Sequence, residues 1–289
     1  MSATIISDHA CELGEGPTYD PATDTLWWFD ILGKRLLEKR MPDGQTIVHD
    51  LPVMASALAT IDAGRQLLVA EDGFHVRDRA TGRLVLHTPL EADRPGNRSN
   101  DSRAHPSGAI WAGTMGRHAE KHAGAIYWFR AGELRLLYPE ITIPNSICFS
   151  PDGSIAYFTD TMKGILFRVA CDPTTGLPTG EPSIFLDHRG RHGGLDGSVV
   201  DADGNLWNAR WGAGSVDQYD PGGNLIRGVA VPAKQSSCPA FVGPGLSRLA
   251  VTTAREGMDD AALRADPLAG RTFMLDVTVN GRAEPHVLI

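Results

Sequence analysis

The chain has 289 residues, of which 42% are hydrophobic, and a formal net charge of −8 at pH 7, so it is long enough for one large or two smaller domains. The negative charge argues against a nucleic-acid groove, which needs a concentrated positive surface. No segment approaches the ~18 apolar residues that span a bilayer, and the N-terminus has no leader-like pattern, so we expect a soluble, cytoplasmic protein without nucleic-acid or membrane partners.

Six segments share a short turn rich in Asp, Gly or Pro and a following apolar strand, as tight hairpins require. They begin at Asp20 (DPATDTLWWFDI), Asp62 (DAGRQLLVAEDG), His105 (HPSGAIWAGTM), Ser150 (SPDGSIAYFTDT), Asp201 (DADGNLWNARWG) and Val242 (VGPGLSRLAVTTA). The first apolar residues of these strands are 41, 43, 45, 51 and 43 residues apart. This period is typical of four-stranded propeller blades. The sequence therefore predicts an all-β, six-bladed β-propeller that forms a single domain over residues 1–289.

The segments between the repeats predict loops, one short helix and the closure of the ring. Residues 171–181, rich in Pro and Gly, predict an inserted loop, and residues 258–264 predict one or two helical turns. A strand over residues 3–7 should pair with residues 272–277 in the last blade, because an open ring would leave strand edges exposed. The scattered cysteines lack a C-x-x-C pair and predict buried, unreactive thiols: Cys11, Cys148, Cys171 and Cys238.

Polar residues recur at one position of the repeat, just before the turns. Ten residues before each first apolar residue, or eleven in the first repeat, stand Glu15, Ala57, Asn100, Asn145, Asp196 and Pro239. The inner strands of a propeller run parallel, so equivalent positions converge at one end of the central channel. Two carboxylates and two amides there predict a site for Ca²⁺, Mg²⁺ or Mn²⁺, with zinc or iron(II) also suitable. Alternatively, these side chains satisfy backbone groups at the strand starts.

Several segments resemble the family of sugar-lactone hydrolases that includes gluconolactonases and regucalcin, also called senescence marker protein 30. They are LGEGPTYD from Leu13, WWFDI from Trp27, NRSNDSRAHPSGAIWAGTM from Asn97, PNSICFSPDGSIAYFTDT from Pro144, LDGSVVDADGNLWNARWGAG from Leu195 and TTAREGMDDAAL from Thr252. The resemblance covers nearly the full chain and implies an enzyme that opens aldonolactones to aldonic acids. It further implies that Glu15, Asn145 and Asp196 bind one divalent cation. Arg98 and Asn100 then bind the substrate.

The sequence departs from the family at two positions near this site. In regucalcin-like members a Glu shortly after the G-T-M segment contacts the substrate, whereas here His118 stands near that point and Glu120 follows two residues later. We therefore take His118 as a candidate substrate contact, and the identity of the sugar does not carry over. Ser146 stands where Gly is usual after the fourth-blade Asn, a change that should leave the ligand role of Asn145 intact.

The resulting hypothesis is that a metal-activated water attacks the lactone carbonyl and that Asp196 accepts its proton, while Arg98 and Asn100 orient the sugar. The cation is Ca, Zn, Mg, Mn or Fe(II), the partner is a small sugar lactone, and the chain is a monomer or small homo-oligomer. One alternative is a non-catalytic calcium-binding propeller that acts as a binding module. Another is the same fold acting on phosphotriesters or in a condensation similar to that of strictosidine synthase.

Overall fold

In the computed structural model, which describes residues 3–289, the strands form six four-stranded antiparallel sheets. The first twelve are β1 (Thr4–Ser7), β2 (Gly14–Asp20), β3 (Thr25–Asp30), β4 (Arg35–Arg40), β5 (Thr46–Asp50), β6 (Ala55–Thr60), β7 (Arg65–Ala70), β8 (Gly73–Asp78), β9 (Leu84–Pro89), β10 (Asn97–Ala104), β11 (Ile110–Gly116) and β12 (Gly124–Arg130). The others are β13 (Glu133–Ile141), β14 (Pro144–Phe149), β15 (Ile155–Asp160), β16 (Ile165–Ala170), β17 (Ser183–Asp187), β18 (Gly194–Val200), β19 (Leu206–Trp211), β20 (Ser215–Tyr219), β21 (Leu225–Ala230), β22 (Ser236–Val242), β23 (Arg248–Thr253) and β24 (Thr272–Thr278).

The six predicted repeats are confirmed as the blades of a β-propeller. Five blades are meanders of four consecutive strands, beginning at β2, β6, β10, β14 and β18. In every blade the predicted turn joins the first strand to the second, and the apolar repeat residue lies in the second strand. The turn residues therefore form the connections between antiparallel strands that were predicted from the sequence.

The sixth blade confirms the predicted closure by the N-terminal strand. β1 pairs antiparallel with β24, with Thr4 opposite Met274 and Ile5 opposite Phe273, in the sheet order β1-β24-β23-β22. The predicted short helix is also present as the six-residue α1 (Asp260–Ala265), and 3₁₀ turns occupy Thr161–Lys163 and Pro244–Leu246. None of the helices in residues 3–289 is long and apolar enough to cross a membrane.

The chain divides into two compact units with three blades each. The first unit contains Gly190–Ala283 and the N-terminal residues up to Leu51, and the second contains Pro52–Arg189 and Glu284–Ile289. Trp207 and Phe273 are fully buried in the core of the first unit, and Trp111 and Phe149 in that of the second. All four cysteines are buried, as predicted, and none of them forms a disulfide. That residues 1–289 form one domain stays a prediction.

The predicted inserted loop lies between β16 and β17 and packs against its own unit. The Trp111 indole donates a hydrogen bond to Gly176 O (2.9 Å), and the Trp128 indole donates one to Thr175 O (2.8 Å). The chain terminus also joins this unit, because Val287 N donates to Thr60 O (2.9 Å). These hydrogen bonds hold the loop and the terminus onto the second unit.

Candidate functional site

The polar positions singled out in the sequence lie at irregularities in the first strands of their blades. The pairing with the second strand shifts between Glu15 and Thr18 in β2, Ser99 and Ser102 in β10, Asn145 and Cys148 in β14, and Leu195 and Ser198 in β18. Such β-bulges leave backbone groups outside the ladder, redirect side chains and are common beside active sites. The bulge is thus the local structure shared by all four candidate positions.

In the second unit, the structure brings together Asn100 of β10 and Asn145 of β14. The Nδ2 group of Asn100 donates to Asn145 Oδ1 (3.0 Å) and to Pro144 O (2.9 Å). The Nδ2 group of Asn145 donates to Thr161 Oγ1 (2.9 Å), which fixes the orientation of the amide. Because a carbonyl oxygen has two lone pairs, Asn145 Oδ1 keeps one for a further partner.

Arg98 joins this pair through Asn100. Its Nη1 donates to Asn100 Oδ1 (2.8 Å) and to Ser99 O (2.9 Å). Arg98, Asn100 and Asn145 are all buried, at 4 to 7% exposure. Two residues predicted to bind substrate and one predicted metal ligand therefore form one hydrogen-bonded group in a buried environment, where such contacts are stronger than in water.

Residues that the sequence analysis missed hold the bulge that contains Asn100. Ser56 Oγ donates to Asn100 O (2.6 Å), and Ser102 Oγ approaches the same carbonyl (3.2 Å). Asp101 Oδ2 accepts a hydrogen bond from Ile147 N (2.7 Å), a backbone group in the bulge of β14. Burial raises the pKa of Asp101 to about 6. The polar run N-R-S-N-D-S is the signal that could have identified Asp101 and Ser102, whereas Ser56 lies in the mostly apolar segment A-S-A-L-A-T and has no such signal.

Aspartates at the ends of the second strands hold the segments that precede two of the candidate ligands. In the second unit, Asp160 at the end of β15 accepts hydrogen bonds from Thr142 N and Ile143 N, both 3.1 Å, just before Asn145. In the first unit, Asp30 at the end of β3 accepts one from Leu13 N (3.1 Å), just before Glu15. The Asp that ends W-W-F-D and Y-F-T-D is the sequence signal.

In the first unit, both candidate carboxylates are buried at bulges. Gly16 N donates to Glu15 Oε2 (2.9 Å). The Nδ2 group of Asn208 donates to Asp196 O (2.9 Å) and to Ser198 Oγ (3.0 Å), so this fully buried amide holds the bulge of β18. A Cβ atom at position 197 would lie 2.6 Å from Cys238 Cβ, which explains the glycine beside Asp196.

Arg210 of β19 holds the loop that precedes Asp196. Its Nη2 donates to His192 O (3.0 Å) and Gly193 O (3.2 Å), and its Nη1 lies 3.4 Å from Tyr219 Oη. Burial lowers the pKa of this guanidinium, which nevertheless stays charged at neutral pH. Arg210 was not predicted from the sequence, because a buried arginine within an apolar strand has no local pattern of its own.

Ser146 adopts a backbone conformation that explains why glycine is usual at this position. Its φ is +56°, and Gly16, which follows Glu15 in the bulge of β2, has the same φ of +56°. This left-handed region is open to glycine but costs other residues about 1–2 kcal/mol. The serine therefore preserves the bulge beside Asn145 at the expense of local strain.

His118 lies in an exposed turn after β11. Its backbone N–H donates to Glu120 Oε2 (3.0 Å), and hydrogen bonds from the backbone of Glu120 itself and of His118 lower the pKa of Glu120. The Glu120 carboxylate thus caps the turn that carries His118. The assignment of His118 to substrate binding stays a prediction.

The comparisons with known proteins identify the family of the chain. The family described as SMP-30/Gluconolactonase/LRE-like region matches residues 13–255. A protein of Rhizobium meliloti, whose name provisionally assigns it as a sugar lactone lactonase, is 55% identical over 99% of this chain and 97% of its own. The L-arabinolactonase of Azospirillum brasilense is 37% identical over 97% and 94% of the two chains. The crystal structure of a calcium-binding regucalcin from Agrobacterium tumefaciens superposes with a TM-score of 0.98 at 53% identity, covering 100% and 98%. The chain therefore belongs to the SMP-30/gluconolactonase/LRE-like family.

Proposed function

We propose that this protein is a metal-dependent hydrolase that opens sugar lactones to aldonic acids. In this proposal Glu15, Asn145 and Asp196 bind one divalent cation, and Arg98, Asn100 and His118 bind the sugar. The observation that carries the proposal is the Asn145 amide. Thr161 fixes its nitrogen and Asn100 uses only one lone pair of its oxygen, which leaves an oriented oxygen donor in a buried bulge.

The donor set fits a hard or borderline divalent cation. Glu15 and Asp196 are buried carboxylates, and ionised carboxylates are costly to bury unless they are paired or coordinate a metal. Carboxylate and amide oxygens suit Ca²⁺, Mg²⁺ and Mn²⁺, and zinc also accepts carboxylate ligands. The calcium-binding description of the Agrobacterium tumefaciens relative supports calcium as one of the cations to test.

The residues of the chain would supply binding, orientation and proton transfer. When bound, the cation would polarise the lactone carbonyl and stabilise the negative charge that develops on its oxygen. Asp196 accepts the proton of the attacking water as general base. Arg98 holds the Asn100 oxygen, whose second lone pair is available to accept a hydroxyl hydrogen of the sugar. Burial of this group excludes competing water and strengthens these hydrogen bonds.

The substrate class is proposed from the names of the relatives. The Azospirillum brasilense relative is an L-arabinolactonase, and a Haloferax volcanii relative that is 33% identical over 98% of this chain is a pentonolactonase. We therefore place pentonolactones beside hexonolactones in the substrate class. His118 and Glu120 in the exposed turn stand near the position of a Glu that contacts the substrate in regucalcin-like members of the family. We therefore expect this turn to determine which sugar lactone is bound.

The direct test is a pH-indicator assay with a panel of pentono- and hexonolactones. The protein is assayed after treatment with a chelator and again after addition of Ca²⁺, Mg²⁺, Mn²⁺ or Zn²⁺. We expect acid release above the spontaneous rate that disappears with chelator and returns with at least one cation. Activity that survives complete cation removal would contradict the metal-dependent mechanism. Calcium binding without acid release from any lactone would instead favour a non-catalytic binding module.

A further inference from the structure

We propose that His9, Cys11 and Asp30 form a second cation site, suited to a transition-metal ion of the zinc type. One ligand atom from each residue lies within 4.8 Å of the other two, and His9 Nε2 is 3.9 Å from Asp30 Oδ2. An imidazole, a thiol and a carboxylate are the ligand types that zinc binds in proteins. Calcium and magnesium, which take oxygen ligands, do not suit this set.

The packing of the first unit holds these ligands in place. Cys11 N donates to Gly270 O (2.9 Å), and a Cβ atom at position 270 would lie 2.5 Å from Cys11 O, so the two segments pack with their backbones in direct contact. Asp30 Oδ1 accepts hydrogen bonds from Leu13 N (3.1 Å) and Gly33 N (3.2 Å). Backbone groups that orient a ligand carboxylate in this way are typical of metal sites.

The turn held by Asp160 in the second unit shows that the cluster of His9, Cys11 and Asp30 is not needed to hold this kind of turn. Asp160 uses both carboxylate oxygens on backbone N–H groups, Oδ2 for Thr142 and Oδ1 for Ile143 and Met162. Asp30 meets the same need with Oδ1 alone, and its Oδ2 faces His9. Four residues before Asn145 stands Ile141, whereas four residues before Glu15 stands Cys11. The blade of Asn145 therefore has an apolar residue at the position where the blade of Glu15 has a thiol.

The surroundings of the thiol also fit a ligand role. Cys11 is fully buried, and Trp28 with the positive charges of Arg255 and Arg35 favours its thiolate. Burial nevertheless raises the pKa of Cys11 well above its ordinary value, so a cation must displace the thiol proton to solvent. His9 Nε2 is buried without a hydrogen-bond partner in residues 3–289.

The cluster requires only a small adjustment to bind an ion. Tetrahedral zinc, with bonds of about 2.0–2.3 Å, places its ligand atoms about 3.3–3.8 Å apart. The ligand atoms would therefore need to approach one another by up to about 1.5 Å. Rotation of the partly exposed His9 side chain shortens its distances to Cys11 and Asp30, and small χ1 rotations of Cys11 and Asp30 would shorten the third distance. Three protein ligands leave a fourth position for water.

Cobalt(II) tests this site independently of lactone hydrolysis. The cation-stripped full-length protein is titrated with Co²⁺, and the near-ultraviolet charge-transfer absorption of a cobalt–thiolate bond is recorded. We expect this absorption in the unaltered protein and in Asp196→Ala, its loss in Cys11→Ala, and its displacement by Zn²⁺. Cys171→Ala, which removes another buried thiol, is the matched control and should leave it unchanged.

The His9→Ala variant separates ligation from folding, since His9 is partly exposed and its loss should leave the core intact. It should weaken Co²⁺ binding at least about tenfold while the thermal unfolding of the cation-free protein is unchanged. Absence of thiolate absorption at saturating Co²⁺ would overturn the proposal. Full absorption in Cys11→Ala, or unchanged affinity in folded His9→Ala, would do so as well.

Discussion

The first and last strands of a single blade distribute polar and apolar residues in opposite ways. β10 has the sequence NRSNDSRA, and every one of its residues is buried. β13, the last strand of the same sheet, exposes Leu136 at 54%. The blade of the first unit that contains Asp196 repeats the contrast, because β18 is buried from Leu195 onward while Leu225 in β21 is 55% exposed.

This contrast shows that the position of a strand within the blade, more than its hydrophobicity, decides its burial. Within the second unit, β10 contacts the first strands β6 and β14 of both neighbouring blades, so its polar side chains are enclosed. Buried polar groups are tolerated only when they are hydrogen-bonded, and the bulges, Ser56 and Asp101 supply such partners. The first strands therefore contain the proposed metal ligands and the proposed substrate contacts Arg98 and Asn100, and the last strands contain none of the proposed site residues.

The largest effect is expected for Asp196 in the first strand β18. Asp196→Ala removes a proposed cation ligand and the proposed base, so kcat/KM for the best lactone should fall at least about a thousandfold. The control is Asp276→Ala, which removes an exposed carboxylate from the last-blade strand β24 of the same unit. Metal content and lactone turnover are measured for both variants. Normal turnover by a folded Asp196→Ala protein would refute the assignment.

Thr161 tests whether the orientation of Asn145 matters. Thr161→Val removes the acceptor of the Asn145 Nδ2 hydrogen bond with little change in volume, so the hydrogen bond from Asn100 alone orients the amide oxygen. The apparent cation affinity, measured from activity in chelator-buffered solutions, should fall about 10- to 100-fold. Thr161→Ser keeps the hydroxyl and should restore most of it. Equal affinity in the valine variant would show that Asn145 needs no such support.

Asp101 tests how much stability is lost when a buried carboxyl group of β10 becomes charged. Its pKa is raised to about 6 by burial, above the unfolded value of about 3.9, so the folded state holds the proton more tightly. This stability is fully present below about pH 4 and is lost as the pH rises through about 6.

The Asp101→Asn variant lacks this titration. Its free energy of unfolding relative to the unaltered protein should therefore increase by up to about 3 kcal/mol between about pH 4 and pH 7. Denaturant titrations of both proteins at several pH values measure this difference. Asn can still accept the Ile147 hydrogen bond, so any constant offset between the curves is separate from the pH-dependent part. Parallel curves would contradict the raised pKa.

Ser146 tests the strain in the bulge of β14. Ser146→Gly and Ser146→Ala both remove the hydroxyl, but only glycine relieves the φ of +56°. The glycine variant should be more stable than the alanine variant by about 1 kcal/mol. Chemical denaturation of the pair gives this difference directly. Equal stability would mean that the bulge relaxes around the alanine.

The smallest effect is expected in the last strand β21. Leu225→Lys places a charge where the side chain is already exposed, so the free energy of unfolding should change by no more than about 0.5 kcal/mol. Val229→Lys in the same strand is the contrasting control, because Val229 is buried and the lysine would lose its hydration. Similar losses in both variants would show that β21 is more enclosed than its exposure suggests.

Much of the fold and part of the site could be predicted from the sequence. The period of the turns predicted the six blades, because turn residues and strand alternation act locally. The need to cover strand edges predicted the pairing of residues 3–7 with β24, and residues 258–264 predicted the short helix. The repeat register also selected Asn100 and Asn145, which the structure joins by a hydrogen bond. The supporting residues escaped prediction because their partners are distant in sequence: Ser56, Asp101, Asp160, Thr161, Asn208 and Arg210.

The sequence by itself determined where the strands begin, how many blades they form and which positions of the repeat are polar. Only the tertiary structure decided that those positions lie at bulges, that Thr161 orients the Asn145 amide, and that Ser146 has a positive φ. The physical reason is the range of the interactions. Turn and strand propensities are encoded within a few neighbouring residues. The direction of a buried hydrogen bond depends on groups that meet only when the blades pack.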